Sequence, residues 1–246
     1  MIVGFCGSGN MAAAMARGWS GALEGMLFSD SGSGRARALA DELGGEAVAN
    51  AELTERSDVL VLAVKPNKLD EVAPELGAAS RIVSVLAATP LARLRAAMPQ
   101  AEVLRVMPNV GVEVRRGVLC VAGAADEQVR EALGLLGHVV EIGDEDFDQA
   151  TAIMGCAPAS LALAVEALAD AGAAAGLDRE LAGELVVETT AGTAELLRVR
   201  HPADVRAAVT SPGGSTEAGL EALDRGGARA AFEAAVDASL ERMRGR

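Results

Sequence analysis

The residues with the clearest chemical meaning are Gly7-Ser8-Gly9-Asn10-Met11-Ala12. They follow a short apolar run, Ile2–Cys6, and open a stretch with helical spacing, Gly9–Gly18. This is the G-x-G-x-x-G/A pattern in the strand-turn-helix setting where it binds dinucleotides. Gly7 permits the tight turn. Gly9 has no Cβ, so a pyrophosphate can approach the backbone, and Ala12 is small enough for the helix to lie close to the strand. The helix N-terminus adds unpaired N–H groups and a partial positive charge at Asn10 and Met11. This local field matters because the formal net charge is −13. Such a charge opposes anionic ligands at long range and excludes the basic footprint of a nucleic-acid-binding protein.

About twenty residues further on, a second apolar run ends in Phe28-Ser29-Asp30. An acid at this place bonds the ribose 2′-hydroxyl and favours NAD. Ser31, Ser33 and Arg35 follow and are suited to a 2′-phosphate, and Asp30 is equally suited to capping the next helix. These residues alone leave NAD and NADP both open. Lys65 follows a nearly continuous apolar run, Asp58–Val64, at the carboxyl end where doubly wound sheets bind ligands. Pro66 restricts Val64-Lys65 to an extended path.

Positioning such residues requires an alternation of strands and helices. Strands are predicted at Ile2–Cys6, Met26–Ser29, Asp58–Val64, Arg81–Leu86, Val103–Met107, Val118–Val121 and Val139–Ile142, with helices at Gly9–Gly18 and Arg35–Leu43. Alternating β and α implies a doubly wound, mostly parallel sheet covered on both faces, a Rossmann-like α/β domain. Beyond Asp144 no strand is predicted. Asp146–Ala175 reads as a long helix interrupted by Gly155 and Pro158, and Asp178–Arg198 as a second. His201-Pro202 opens a short segment with His201 as its cap, Ser211-Pro212-Gly213-Gly214 is a turn, and Thr216–Asp224 and Ala228–Arg244 are the final helices. Two domains are expected, a dinucleotide-binding domain over residues 1–143 and an all-helical one over 144–246. The helical part is too rich in Ala and too poor in aromatics to bury its apolar faces alone, so it is expected to pair with a second copy.

Composition bounds the rest. Half of the 246 residues are hydrophobic but only 2% are aromatic, so the core is expected to be built from Ala, Val and Leu. No stretch is judged to approach the roughly 20 apolar residues of a membrane span. The N-terminus reads as a strand rather than a signal peptide, which points to the cytoplasm. Cys6, Cys120 and Cys156 have no metal-ligand spacing and read as small hydrophobes. With only His138 and His201 beside them, no metal centre is expected.

Taken in order, the motifs Gly4–Ala12, Asn50, Ala63-Val64-Lys65-Pro66, Arg105-Val106-Met107-Pro108-Asn109, Glu166–Gly172 and Val209–Thr216 followed by Gly219-Leu220 identify a family. Over essentially its whole length the chain resembles pyrroline-5-carboxylate reductases. The resemblance implies reduction of the cyclic imine 1-pyrroline-5-carboxylate to L-proline by hydride from NAD(P)H, the last step of proline biosynthesis. It also implies a homodimer or larger homo-oligomer whose helical domains interlock. NADP is taken as the cofactor, with NAD as the alternative. By the same resemblance Asn50 and the Ala63–Pro66 segment contact the cofactor, and Thr216 sits near the imine nitrogen.

Physical reasoning about that substrate fits the segment Ser211-Pro212-Gly213-Gly214-Ser215-Thr216. Gly213 and Gly214 adopt backbone angles that other residues resist, and a helix starting near Thr216 points free N–H groups back at the loop. That is a cradle for the substrate carboxylate without an Arg or Lys. The competing reading is an ordinary helix entry with Ser215 or Thr216 as N-cap. Asn109 is expected to order a loop or the nicotinamide end. Three departures from the family pattern fall near the expected substrate pocket: Val110-Gly111 after Met-Pro-Asn, the segment Met154–Ser160, and Val199. They keep two other readings open, a reductase of a different small cyclic imine and a non-catalytic dimeric dinucleotide-binding sensor.

Overall fold

A computed structural model describes residues 1–245. The chain divides into two compact units, Met1–Cys156 with the residues from Leu240 onward, and Ala157–Ser239.

The first unit is built on one eight-stranded sheet in the order β3-β2-β1-β4-β5-β6-β7-β8. The strands are β1 (Ile2–Cys6), β2 (Gly25–Ser29), β3 (Glu46–Ala47), β4 (Val59–Leu62), β5 (Arg81–Ser84), β6 (Glu102–Pro108), β7 (Gly117–Ala122) and β8 (Gly137–Glu141). Every pairing is parallel except β6 with β7. The helices are α1 (Asn10–Trp19), α2 (Arg35–Leu43), α3 (Asn50–Arg56), α4 (Leu69–Val72), α5 (Leu91–Ala97), α6 (Glu127–Gly134) and α7 (Phe147–Ala150). The order reverses beside β1, so the crevice above β1 and β4 is the switch point where doubly wound sheets take ligands.

Side-chain alternation on β4 builds both core layers. Val59 and Val61 join one cluster with Phe5, Met15, Trp19 and Phe28, while Leu60 and Leu62 join the other with Leu53, Leu76, Ile82 and Leu94. The buried core is mostly Ala, Val and Leu, as expected, and the few aromatics add to it. Phe28 stacks on Phe5 at 5.2 Å between centroids, Trp19 lies 6.0 Å from Phe5, and Trp19 Nε1 donates to the Ala132 carbonyl at 2.7 Å. Three of the five aromatics thus pack together where β1, β2 and α1 meet, filling space that several alanines would leave open.

Two local differences from the sequence reading have clear causes. Strand β3 has only two residues, both exposed, so it carries no alternation to read. The apolar run Asp58–Val64 supplies only four strand residues. Asp58 lies before β4 and its carboxylate accepts the Ile2 N–H at 2.7 Å, while Ala63 and Val64 lead away from the sheet.

The helical region begins within the first unit. A π-helical turn, Thr151–Gly155, separates α7 from α8 (Ala157–Ala174), whose second residue is Pro158. A proline is tolerated there because the first helical turn has no internal N–H bonds to lose. The second unit continues with α9 (Arg179–Leu197), α10 (Pro202–Val209), α11 (Ser215–Arg225) and α12 (Ala228–Met243). His201 caps α10, its Nδ1 accepting from Ala203 N at 3.2 Å.

Among α8–α12 only Ala182 is fully buried. Leu161, Leu163, Leu168, Leu181, Leu185 and Val187 are all between 44% and 64% exposed. One expectation is overturned here. The 31 residues Asp144–Ala174, with a mean hydropathy of 1.7 in their most apolar window, are long and apolar enough to cross a membrane by length and composition. The interruptions at Gly155 and Pro158 hid this, because neither residue lowers hydropathy enough to break the window.

Candidate active site

The Gly-rich turn is held from three sides. Gly7 has φ +99°, and a Cβ there would stand 2.7 Å from the Ala63 carbonyl oxygen, so the turn packs directly on the exit of β4. Gly7 N and Ser8 Oγ both donate to the Ser29 carbonyl, at 3.1 and 3.0 Å, which ties the turn to the end of β2. Gly9 is the N-cap of α1 in extended conformation, and no side chain caps the helix. A Cβ on Gly9 would meet nothing within 4 Å. Ala12 is fully buried against the sheet. An uncapped helix start facing open space above a glycine fits a pyrophosphate. Backbone N–H groups of Ser8, Gly9, Asn10 and Met11 would be the ones to hold it, while Gly7, whose N–H is taken by Ser29, and the buried Ala12 shape the turn.

Asp30 sits at the end of β2, but its carboxylate turns into its own loop. Oδ1 accepts from Gly32 N at 2.7 Å and Ser33 N at 3.1 Å, and Oδ2 from Ser33 Oγ and Ala36 N, both at 2.8 Å. Partial desolvation works against the charge, but these donors outweigh it and hold the carboxyl below its ordinary range. Four hydrogen bonds fill the lone-pair sites of a carboxylate. The geometry is therefore that of the helix-entry alternative, with Ser31 and Arg35 left exposed beside it.

Asn50, the first residue of α3, is the hub of a network that the sequence reading missed. Its Oδ1 accepts from Ser29 Oγ at 2.5 Å and from Cys6 Sγ at 3.6 Å, and its Nδ2 donates to Glu75 Oε2 at 2.8 Å. Burial pushes the Cys6 thiol up to about 11, with the Glu75 charge adding to the shift. It is an inert donor, in keeping with the small hydrophobe expected. The chain then runs past Ala63 and Val64, both half-buried, to an exposed Lys65 with extended φ −67° and ψ 142° before Pro66 opens a 3₁₀ turn. Lys65 makes no ion pair among the described residues.

A second missed feature is Arg105 in the middle of β6. Its side chain is buried over the Phe147 ring, 4.0 Å from the centroid, and paired to Asp144 at 2.8 Å. The signal was available, as one charge in the apolar run Val103–Met107 must find a partner. Asn109 orders the following loop: Oδ1 accepts from Gly111 N and Val118 N, and Nδ2 donates to the Met154 carbonyl in the π-helical turn. No group of three or more His, Cys, Asp or Glu side chains fit for a metal ion occurs among the described residues.

The second unit carries the Ser211–Thr216 loop. Gly213 has φ +72°, a left-handed angle that favours glycine. Gly214 N donates to the Ser211 carbonyl at 2.9 Å and is itself the N-cap of α11. Neither Ser215 nor Thr216 caps the helix, so both hydroxyls lie in an uncapped first turn. Gly213 N donates to Glu217 Oε2 at 2.6 Å. The loop thus already presents a backbone N–H to a carboxylate.

Fold and site define a class, a dinucleotide-dependent oxidoreductase with a helical assembly domain. Family models match on both parts: residues 144–245 match the dimerisation domain of pyrroline-5-carboxylate reductase, and residues 2–88 match a family described as NADP oxidoreductase, coenzyme F420-dependent. The chain belongs to the pyrroline-5-carboxylate reductase family. It is 36% identical to the pyrroline-5-carboxylate reductase of Pisum sativum over 98% of its own length and 94% of the relative's. It is 40% identical to that of Synechocystis over 78% and 76%. A solved pyrroline-5-carboxylate reductase from Streptococcus pyogenes superposes with a TM-score of 0.88 at 29% identity, covering 100% and 99% of the two chains. The enzyme from Plasmodium falciparum, solved with NADP bound, gives 0.85 at 27% identity, covering 99% and 97%. The dimerisation match accounts for apolar helices that the single chain leaves uncovered.

Proposed function

We propose that this chain reduces 1-pyrroline-5-carboxylate to L-proline in the cytoplasm as a homodimer or larger homo-oligomer, with NADP as its cofactor and NAD as the alternative. The observation that carries the substrate assignment is the uncapped start of α11 behind a left-handed Gly213, whose N–H donates at 2.6 Å to the protein's own Glu217 carboxylate and so suits one. A substrate with one carboxylate and an imine nitrogen beside it suits that loop. The cofactor, when bound, supplies the hydride. Gly7–Ala12 orient its pyrophosphate, with Ala63–Pro66 and Asn50 along its length and Asp30 shaping the loop at the ribose end. Ser211, Gly213, Gly214 and Ser215 hold the substrate carboxylate. The Thr216 hydroxyl hydrogen-bonds the ring nitrogen, whose protonation makes the adjacent imine carbon the better acceptor of hydride.

NADPH and NADH oxidation with 1-pyrroline-5-carboxylate and a panel of small cyclic imines tests this reading. Turnover with pyrroline-5-carboxylate is expected. The side chains of Met154, Cys156 and Ser160 in the departing segment favour testing other imines alongside it. Preference for another imine would reassign the substrate, and cofactor binding without turnover would leave a sensor.

A further inference from the structure

We infer that Asn109 is a positioning residue for hydride transfer, whose side-chain amide holds the π-helical turn Thr151–Gly155 at the sheet edge proposed for the nicotinamide end of the cofactor. The inference deepens the function proposed above and rests on it. Strands β1, β4, β5 and β6 are parallel neighbours, so their carboxyl ends share one edge. The Gly-rich turn leaves β1 at that edge, and the adenosine ribose belongs on the β2 side of it. The nicotinamide end then extends the other way, toward β4–β6. Asn109 is the residue that follows β6 there.

Alternate positions along β6 all serve the segment that leads into the helical region. Arg105 pairs with Asp144 and lies over the Phe147 ring, and Met107 packs in one cluster with Phe147 and Met154. Asn109 Nδ2 then donates to the Met154 carbonyl at 3.2 Å. The amide cannot be turned round. Gly111 N and Val118 N both donate to its other end, at 3.2 and 3.1 Å, and only the oxygen accepts. The Met154 carbonyl has a particular need of this donor. The backbone stays helical at Cys156, with φ −88° and ψ −29°, so the carbonyl would ordinarily bond the N–H four residues on. That residue is Pro158, which has no N–H. Pro158 costs α8 nothing in its own first turn, but it leaves the preceding turn one donor short, and Asn109 supplies it. Turns of the π type recur at functional sites. Met154 is thus held by its carbonyl and by its side chain, and the turn is fixed to the end of β6.

Asn109→Asp and Asn109→Ser test this. Each keeps an oxygen for the Gly111 N–H, but Asp has no donor and Ser is too short to reach Met154. Turnover of 1-pyrroline-5-carboxylate is measured with NADPH and with NADPH deuterated at the transferred position, beside fluorescence titration of NADPH. Both variants are expected to lower kcat by roughly tenfold to a hundredfold, as a misplacement of about 1 Å does. The deuterium isotope effect should rise and NADPH affinity should stay nearly unchanged. Adding Pro158→Ala returns an N–H to the position four residues beyond Met154 and should recover part of the lost kcat. Either Asn109 variant, once folded, decides the matter. Unchanged kcat and isotope effect would overturn the inference. So would a joint fall in NADPH affinity, melting temperature and kcat with the isotope effect constant, which would reduce Asn109 to a prop for its own loop. Failure of Pro158→Ala to recover any activity would also overturn it. Wild-type protein that binds neither cofactor, or turns over no imine, would sink the function proposed above, and the inference with it.

Discussion

Arg105, in the middle of β6, and Asp144, just beyond β8, form an ion pair at 2.8 Å in which the arginine side chain is only 4% exposed. The same carboxylate accepts the Leu91 N–H at the start of α5, at 3.0 Å. Arg105 Nε has no partner of its own and is buried. Asp144→Ala would strand a buried cation whose remaining support is the Phe147 ring and one weak backbone contact. It is expected to cost about 3 kcal/mol in urea unfolding. The double variant Arg105→Met/Asp144→Ala should cost less than Asp144→Ala alone, because no charge is then left uncompensated. Equal losses would mean that the pair does not govern stability here.

The two glycines of the turn should respond differently. A Cβ on Gly9 meets open space, so Gly9→Val should fold normally yet lose NAD(P)H binding by at least about a hundredfold, since the side chain would fill the pyrophosphate position. A Cβ on Gly7 would clash with the Ala63 backbone at φ +99°, so Gly7→Ala should lower the melting temperature. Circular dichroism melts beside cofactor titration separate the two effects. A Gly9→Val protein that binds NADPH like wild type would remove the turn from the site.

Thr216 lies in the first turn of α11 without a capping role. Its hydroxyl is expected to assist hydride transfer, so Thr216→Ala should lower kcat/KM by roughly tenfold to a few hundredfold with little change in cofactor affinity. Thr216→Ser keeps the hydroxyl and should retain most activity. Steady-state kinetics with pyrroline-5-carboxylate decide this, and wild-type kcat/KM in Thr216→Ala would exclude the residue from the mechanism.

Glu217 occupies the Gly213 N–H that the substrate carboxylate is proposed to use. Removing that competing charge with Glu217→Gln should lower KM about threefold, with kcat nearly unchanged. A raised KM would mean that Glu217 holds the loop in its binding shape instead.

Assembly should be obligate. Leu163 is 64% exposed in the single chain, where substitution by a polar residue would be almost neutral. If a second copy covers it, Leu163→Glu should weaken association and make the melting temperature more dependent on concentration. Sedimentation velocity at micromolar concentrations checks this, and an active wild-type monomer would contradict it.

Sequence by itself determined the parts of this protein that local chemistry dictates. The strand Ile2–Cys6, the glycines at positions 7 and 9, and the helix behind them were legible because turn geometry and periodicity act over a few residues. The loss of strands beyond Asp144 was legible for the same reason, and so was His201 as a cap. Only tertiary structure decided where the polar side chains point. Asp30 had two reasonable fates, and the choice depends on how the Ser31–Gly34 loop closes over it. The Cys6–Ser29–Asn50–Glu75 network joins residues on four separate elements, and though Asn50 stood out in the sequence its partners did not. The pairing of Arg105 with Asp144 spans 39 positions and appears only once β6 lies beside the segment that follows β8. Hydrogen bonds of this kind are fixed by three-dimensional closure, for which a linear pattern carries no period.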